Sequence, residues 1–466
     1  LQRARKSQKV FWFFFSKKNI LPSYDHRGGF LLSRLLLDAI LSRLLRHGRL
    51  TLVYPDGQVS DFGADPAPHV TVQVKCWSVV RGLVTNPALV VGEAYVGGAL
   101  SPVGCGIEDV LDLVYANIHA GGRHPGQQFH RAIGRALRRI AQFNPMPRAR
   151  RNAAHYDLDG RLYARFLDAD RQYSCAYFAR GDETLEAAQE AKKHHIAAKL
   201  LLDRPDLHVL DIGCGWGGMA LTLARDYGAR VTGITLSHEQ LAYARTRADV
   251  ARLSHRVRFE LLDYRSVEGP FDRIVSVGMF EHVGITHYRG FFRRVRSLLT
   301  EDGVALIHAI GRSDGPNVTN PWLARHIFPG GYSPALSEVF GAVERERLVA
   351  TDCEVLRLHY ARTIAHWRAR FAANRASIEA LTDAQFCRMF DLYLAGSELT
   401  FKHLGHMVWQ LQLARRQDAV PLTRAYLHRS PREGALGPSA FQRDYNGVQD
   451  GEMATAGRET AAQDAD

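Results

Sequence analysis

The sequence predicts an α/β protein: a mostly parallel sheet with helices on both faces, joined to a smaller N-terminal α+β unit. Three observations carry this expectation. From Leu207 onward, β-branched runs at His208 to Ile212, Val231 to Thr235, Val257 to Leu262, Arg273 to Val277 and Val304 to Ile310 alternate with helix-length segments, as in a parallel sheet. The first run enters a helix through the glycine-rich phrase VLDIGCGWGG. A chain of 466 residues, 46% of them apolar, exceeds what one core usually holds, so two folded units are expected.

At the N-terminus, Arg3, Arg5, Lys6 and Lys9 precede the apolar run Val10 to Phe15, which stops at Lys17 and Lys18. The run is too short for a signal peptide. Residues 1–24 read as an ill-ordered or non-native basic and aromatic extension, or alternatively as a membrane foot. From Phe30 to Leu45, FLLSRLLLDAILSRLL places Arg34, Asp38, Ser42 and Arg43 on one side of a helical wheel and leucines on the other. Packing of the leucine face on its own domain is the ordinary reading, and insertion into a lipid interface the other.

The phrase LTLVYPDGQVSDFG predicts two strands joined by a turn at Pro55-Asp56-Gly57, and Thr71 to Val80 reads as a further strand. Helical patterns follow near Pro87 to Tyr95 and Ile107 to Asn117, closing a small α+β domain at about 25–120. Between 121 and 154 a basic helix and linker carries Arg123, Arg131, Arg135, Arg138, Arg139, Arg148, Arg150 and Arg151. These arginines form a solvated face or meet lipid phosphates. A second folded unit is expected at 155–415, and 416–466 reads as a tail whose final composition suggests disorder.

The charge of +12 draws the chain toward anionic partners. No RRM, KH or zinc-knuckle signature supports nucleic acid as that partner. The cysteines Cys76, Cys105, Cys175, Cys214, Cys353 and Cys387 are too scattered for a zinc or redox motif, so no metal is expected and a reducing cytoplasm fits. No apolar run approaches the roughly 20 residues of a spanning helix, which leaves peripheral attachment to the inner membrane face.

In VLDIGCGWGG, Asp211 ends the strand, and Gly213, Gly215 and Gly217 let backbone approach a ligand at a helix start. The spacing G-x-G-x-G is the first motif of class I methyltransferases, whose domain is Rossmann-like. The second strand ends in Gly233-Ile234-Thr235-Leu236-Ser237, with hydroxyls where a ribose-binding carboxylate is common. Asp263 and Tyr264 follow the third strand, where a ring can stack on adenine.

Six phrases resemble the cyclopropane-fatty-acyl-phospholipid synthase family and its mycolic acid relatives. They are YSCAYF at 173–178, VLDIGCGWGG, GITLS, FDRIVSVGMFEHVG at 271–284, IFPGGY at 327–332 and HYARTIAHW at 359–367. The N-terminal region also resembles the extra domain of the phospholipid-acting members. The resemblance implies that Tyr173, Ser174, Gly213, Gly215, Thr235, Gln240 and Tyr264 hold S-adenosylmethionine. It implies a bicarbonate ion held by Cys175, Glu281, His308, Ile310 and Tyr360. One departure falls at Gly160 and Arg161, where the family usually has Asn-Asp.

On this resemblance the chain builds a cyclopropane on an unsaturated phospholipid acyl chain, and its partners are that phospholipid, an anionic membrane surface and a second copy of the chain in a homodimer. Phe178, Phe280 and Tyr332 are candidates to stabilise the intermediate cation, or else core residues. A sister enzyme making methyl-branched, exomethylene or hydroxylated chains is the nearest alternative. A methyltransferase for oxygen or nitrogen, or an RNA-binding protein on the same fold, is more distant.

Overall fold

The computed structural model describes residues 27–120 and 160–428. The expected extension at 1–24, the arginine-rich segment at 121–154 and the end of the tail lie outside the described residues.

In the N-terminal unit, α1 (Arg27–Leu44) is followed by β1 (Arg49–Val53), β2 (Val59–Phe62) and β3 (His69–Val74). Then come α2 (Trp77–Thr85), α3 (Pro87–Val96), β4 (Leu100–Val103) and α4 (Ile107–Ala120). The sheet runs β2-β1-β3-β4, with β1 and β3 parallel and the outer pairs antiparallel. The predicted turn closes where Gly57 N donates to Tyr54 O at 3.0 Å. The expected strand to Val80 stops at Val74, because Val79, Val80, Leu83 and Val84 pack into one core at helical spacing.

Helix α1 reverses the ordinary expectation. Its inner side buries Leu37, with Leu45 buried just past its end, together with polar groups: Arg34 bonds Ser60 at 3.2 Å and lies over the Tyr54 ring, and Tyr54 OH donates to Asp38 at 2.5 Å. Leu31, Leu32, Leu35, Leu36 and Ile40 face outward. Arg43 is exposed on that outer side, away from Arg34 and Asp38.

In the second unit a single turn at Gly160–Tyr163 precedes α5 (Leu185–Lys199), β5 (His208–Ile212), α6 (Gly218–Tyr227), β6 (Arg230–Thr235), α7 (His238–Val250) and β7 (Val257–Leu261). There follow β8 (Phe271–Val277), α8 (Tyr288–Leu298), β9 (Leu299–Arg312), α9 (Pro321–His326), α10 (Leu336–Arg345) and β10 (Val349–Val355). Last come α11 (His359–Ala373), α12 (Arg375–Leu381), α13 (Ala384–His403) and β11 (His406–Ala414). The seven-stranded order is β10-β11-β9-β8-β5-β6-β7. The five predicted strands form its parallel part, and β11 and β10 join antiparallel at the β9 edge. Packed structure extends past the expected domain end at 415: Tyr426 is buried and its hydroxyl donates to Gln412 Oε1 at 3.2 Å.

The units share a core in which Val96, Ile107 and Leu111 meet Phe386, Met389 and Phe390 of α13. A second seam joins α3 to α9, where Glu93 pairs with His326 at 2.8 Å and Arg325 at 3.2 Å. Gly92 lies so close to this seam that a Cβ there would stand 2.4 Å from the Trp322 ring. We expect Gly92→Ala to cost about 1–3 kcal/mol, the usual range for overpacking, and to lower the thermal midpoint of unfolding. An unchanged midpoint would show that the seam yields without cost.

Candidate active site

The carboxyl ends of β5, β6, β7 and β8 open on one cleft, the usual ligand position for a parallel sheet. Tyr173, Ser174, Asp211, Gly213, Gly215, Thr235, Gln240, Asp263 and Tyr264, all anticipated from sequence, line it. Gly217 does not. It is the residue before α6, at φ +87°, and a Cβ on it would meet Phe259 Cζ at 2.8 Å and Ala244 Cβ at 3.0 Å. Its smallness therefore serves packing of the helix start.

The cleft is built from backbone turns and capping hydroxyls. Gly213 N and Cys214 N donate to Ile234 O at 2.9 and 3.0 Å, tying the glycine turn to β6. The Thr235 hydroxyl donates to Gln240 Oε1 at 2.9 Å, while Ser237 caps α7 by accepting from Gln240 N at 3.2 Å. The hydroxyls after β6 thus position Gln240, in place of the missing carboxylate. Asp263 accepts from Arg265 N at 3.0 Å, which sets Tyr264 in its own turn with its ring edge-on to Phe291.

Sequence reasoning missed several cleft residues: Arg171, Gln172, Trp216, Met279 and His282. The first three flank recognised phrases or sit inside one, so adjacency was the available signal. It also missed Lys192, wholly buried on α5, whose ammonium donates to Gln172 Oε1 and Ser174 Oγ, each at 2.7 Å. Gln189 donates to Ser174 O at 3.0 Å, so α5 holds the segment that carries Tyr173 and Ser174. A lysine in a helix reads as exposed by default, and nothing in the pattern marks this one. The Gly160 departure fits locally: its N–H donates to Glu239 Oε1 at 2.7 Å, and a Cβ would press on Glu239, Arg171 and Trp216 at 3.1–3.4 Å.

The cleft suits a cationic ligand with close backbone contact. Asp211 Oδ2 is buried without a hydrogen-bond partner among the described residues, and burial raises its carboxyl to about 7. A cation beside it would favour the ionised form. A Cβ on Gly215 or Gly278 would meet nothing within 4 Å, leaving room at the backbone.

Adjoining the cleft, Glu281 follows β8. Ile310 N donates to its Oε1 at 2.7 Å, and Oε2 has no partner among the described residues. Burial raises this carboxyl to about 7. Cys175 and Tyr360 share one apolar cluster, with Ile310 packed against it, and His308 stands two residues before Ile310 on the same face of β9. Gln410 Nε2 lies 3.1 Å from His308 Nδ1, and donation there leaves the proton on Nε2. Burial holds the His308 ring well below the usual histidine range, so it is neutral. Burial likewise pushes the Cys175 thiol up, which removes it as a nucleophile.

Ile310, expected in the bicarbonate set, donates its N–H to Glu281 and holds that carboxylate in place. Of the two readings of Phe178, Phe280 and Tyr332, their contacts favour core packing: Phe280 lies among Tyr288, Phe291, Phe292 and Trp409, Tyr332 OH donates to Glu338 at 2.7 Å, and Phe178 stacks on His366. Aromatic faces at the cleft come from Tyr163, Tyr173, Trp216 and Tyr264.

Sheet order, glycine turn and cleft define an S-adenosylmethionine-dependent methyltransferase of class I fold. Residues 144–411 match the mycolic acid cyclopropane synthetase family, and the chain belongs to that family. It is 35% identical over 368 residues to a probable fatty acid methyltransferase of Pseudomonas putida, covering 76% of this chain and 89% of the relative. It is 34% identical over 356 residues to the cyclopropane-fatty-acyl-phospholipid synthase of Escherichia coli K12, with the same coverage. Among solved structures, the mycolic acid cyclopropane synthase CmaA1 complexed with SAH and CTAB is 32% identical with a TM-score of 0.54, covering 58% of this chain and 99% of that one.

We expect Gly215→Val to lose measurable S-adenosylmethionine affinity, because its side chain would enter the cleft, whereas Gly217→Ala should keep affinity and cost about 1–3 kcal/mol of stability. Calorimetry and thermal unfolding separate the two effects. Retained affinity in a folded Gly215→Val protein, or lost affinity in Gly217→Ala, would misplace the cofactor.

Proposed function

We propose that the chain transfers a methylene from S-adenosylmethionine across the cis double bond of an unsaturated phospholipid acyl chain, closing a cyclopropane. The observation that carries this reading is Glu281, pinned through one oxygen to Ile310 N and buried with its other oxygen unpartnered beside the cofactor cleft. When bound, S-adenosylmethionine supplies an electrophilic methyl group. A bicarbonate held by Glu281, His308, Cys175 and Tyr360 would supply a base that tolerates apolar surroundings.

An alkene is a weak nucleophile, and the cation formed on it must be kept from water until it loses a proton. Cys175, Tyr360 and Trp367 supply dry walls, each less than a tenth exposed. Neutral His308 presents an N–H donor, and Glu281, poised near neutrality, can hold or release a proton at Oε2. An unpartnered carboxyl oxygen in such a place costs stability unless a ligand completes it, which supports a small hydrogen-bonding ion there. The N-terminal unit supports a phospholipid substrate: the Escherichia coli synthase aligns with 76% of this chain, whereas CmaA1 covers 58%. Among the described residues no helix is long and apolar enough to cross a membrane, so this reading puts the enzyme on the surface of the inner leaflet.

The likeness to a fatty acid methyltransferase at 35% identity favours a second reading, a methyl-branched, exomethylene or hydroxylated product from the same cation. Trideuteromethyl S-adenosylmethionine and vesicles of a monounsaturated phospholipid separate these outcomes. A cyclopropane keeps two deuteriums, because ring closure removes one from the delivered methyl group, and shows ring protons by NMR. A branched or hydroxylated chain keeps all three, and an exomethylene chain keeps two but carries them on an alkene carbon, giving vinyl signals by deuterium NMR and no ring protons. Three retained deuteriums, or vinyl signals, in the main product would refute the cyclopropane reading.

A further inference from the structure

The outward side of α1 is a helix face with no cover among the described residues. Leu31, Leu32, Leu35, Leu36 and Ile40 are 44–61% exposed and form one stripe, about 14 Å long at 1.5 Å per residue. A helix that merely capped its own domain would turn these side chains inward and its charges outward. Here Arg34 and Asp38 are the groups held against the domain, tied to each other, to Ser60 and to Tyr54.

We propose that this face docks on the surface of an anionic lipid bilayer, with its leucines in the headgroup and acyl boundary. The charge around the stripe selects this occupant. The only carboxylate on α1, Asp38, is turned inward and engaged, whereas Arg43 lies within the exposed side and Arg46 is exposed one turn beyond. The sequence entering the helix carries Arg3, Arg5, Lys6, Lys9, Lys17 and Lys18 against Asp25, on a chain of charge +12. An apolar helix face with cationic residues fits an interface of lipid phosphates over acyl chains, where arginine reaches the phosphates while its stem stays among the leucines. A second copy of the same face would set Arg43 against leucines with no carboxylate to receive it. The proposal rests on the reading that the substrate is a bilayer acyl chain, for docking would bring the cleft to its substrate.

The test uses the full chain and vesicles of dioleoyl phosphatidylethanolamine and dioleoyl phosphatidylglycerol. The triple variant Leu31→Ser, Leu35→Ser, Leu36→Ser should partition onto vesicles at least about tenfold more weakly than the parent. Its S-adenosylmethionine affinity should stay unchanged by calorimetry. Arg43→Glu, which leaves the leucines in place, should also weaken binding and reduce its salt dependence. Partition of the triple variant within twofold of the parent overturns the proposal. So does a parent dimer that the triple variant converts to monomer while vesicle binding persists, because a second copy would then cover the face. If the parent docks through this face but makes no cyclopropane, docking stands and the proposed reaction falls. If the parent makes cyclopropane and the triple variant binds vesicles equally well, the reaction stands and docking falls.

Discussion

The amide of Ile310 reaches across from β9 to the carboxylate of Glu281, and the buried corner beside the cofactor cleft takes its shape from that hydrogen bond. It holds one oxygen of a buried acid in place and leaves the other to the interior. Tyr332 N supports the same turn by donating to Glu281 O at 3.0 Å. Because β9 is paired on both sides, by β8 in parallel and β11 antiparallel, the donor cannot drift. The position of His308 follows from the same strand. Its ring is fixed by Gln410, the residue directly opposite it on β11.

The cofactor cleft depends on that sheet in a different way. Its walls are turns after the strands, and the segment with Tyr173 and Ser174 is brought over by α5 through Lys192 and Gln189. Lys192 is charged at the expense of burial, which lowers its pKa, and Asp168 and Asp170 nearby offset that effect. A buried ammonium that donates to a serine and a glutamine at the cleft wall makes this wall rigid. The N-terminal unit is fastened to the catalytic unit by α13 and α9, so a membrane contact made by α1 would be mechanically joined to it.

The parallel strands were legible in the sequence because a strand buried on both faces reads as an apolar run, and the glycine turn was legible because its spacing is restrictive. The β10–β11 pair was not. In HMVWQLQLA, Gln410 and Gln412 look like solvent-facing residues, yet both are fully buried, bonded to His308 and to the Lys199 carbonyl. Amphipathic periodicity located α1 but could not say which side faces the domain, since Arg34 and Asp38 find polar partners there. Of the site, many residues within restrictive phrases were found, although Trp216, Met279 and His282 inside those same phrases were not. Lys192 and Arg171 escaped because their roles depend on tertiary contacts, and Phe280 misled because a ring next to Glu281 in sequence points into a different core.

Glu281 is proposed to act on a proton and not on the cofactor. The most direct measurement compares Glu281→Gln with the parent for both S-adenosylmethionine affinity by calorimetry and turnover on unsaturated phospholipid vesicles. An amide preserves shape and the bond from Ile310 N but cannot exchange the proton, so affinity should remain nearly intact while turnover falls by about 10² to 10⁴, or about 3–5 kcal/mol of barrier. Turnover within twofold of the parent, with affinity unchanged, would contradict the account.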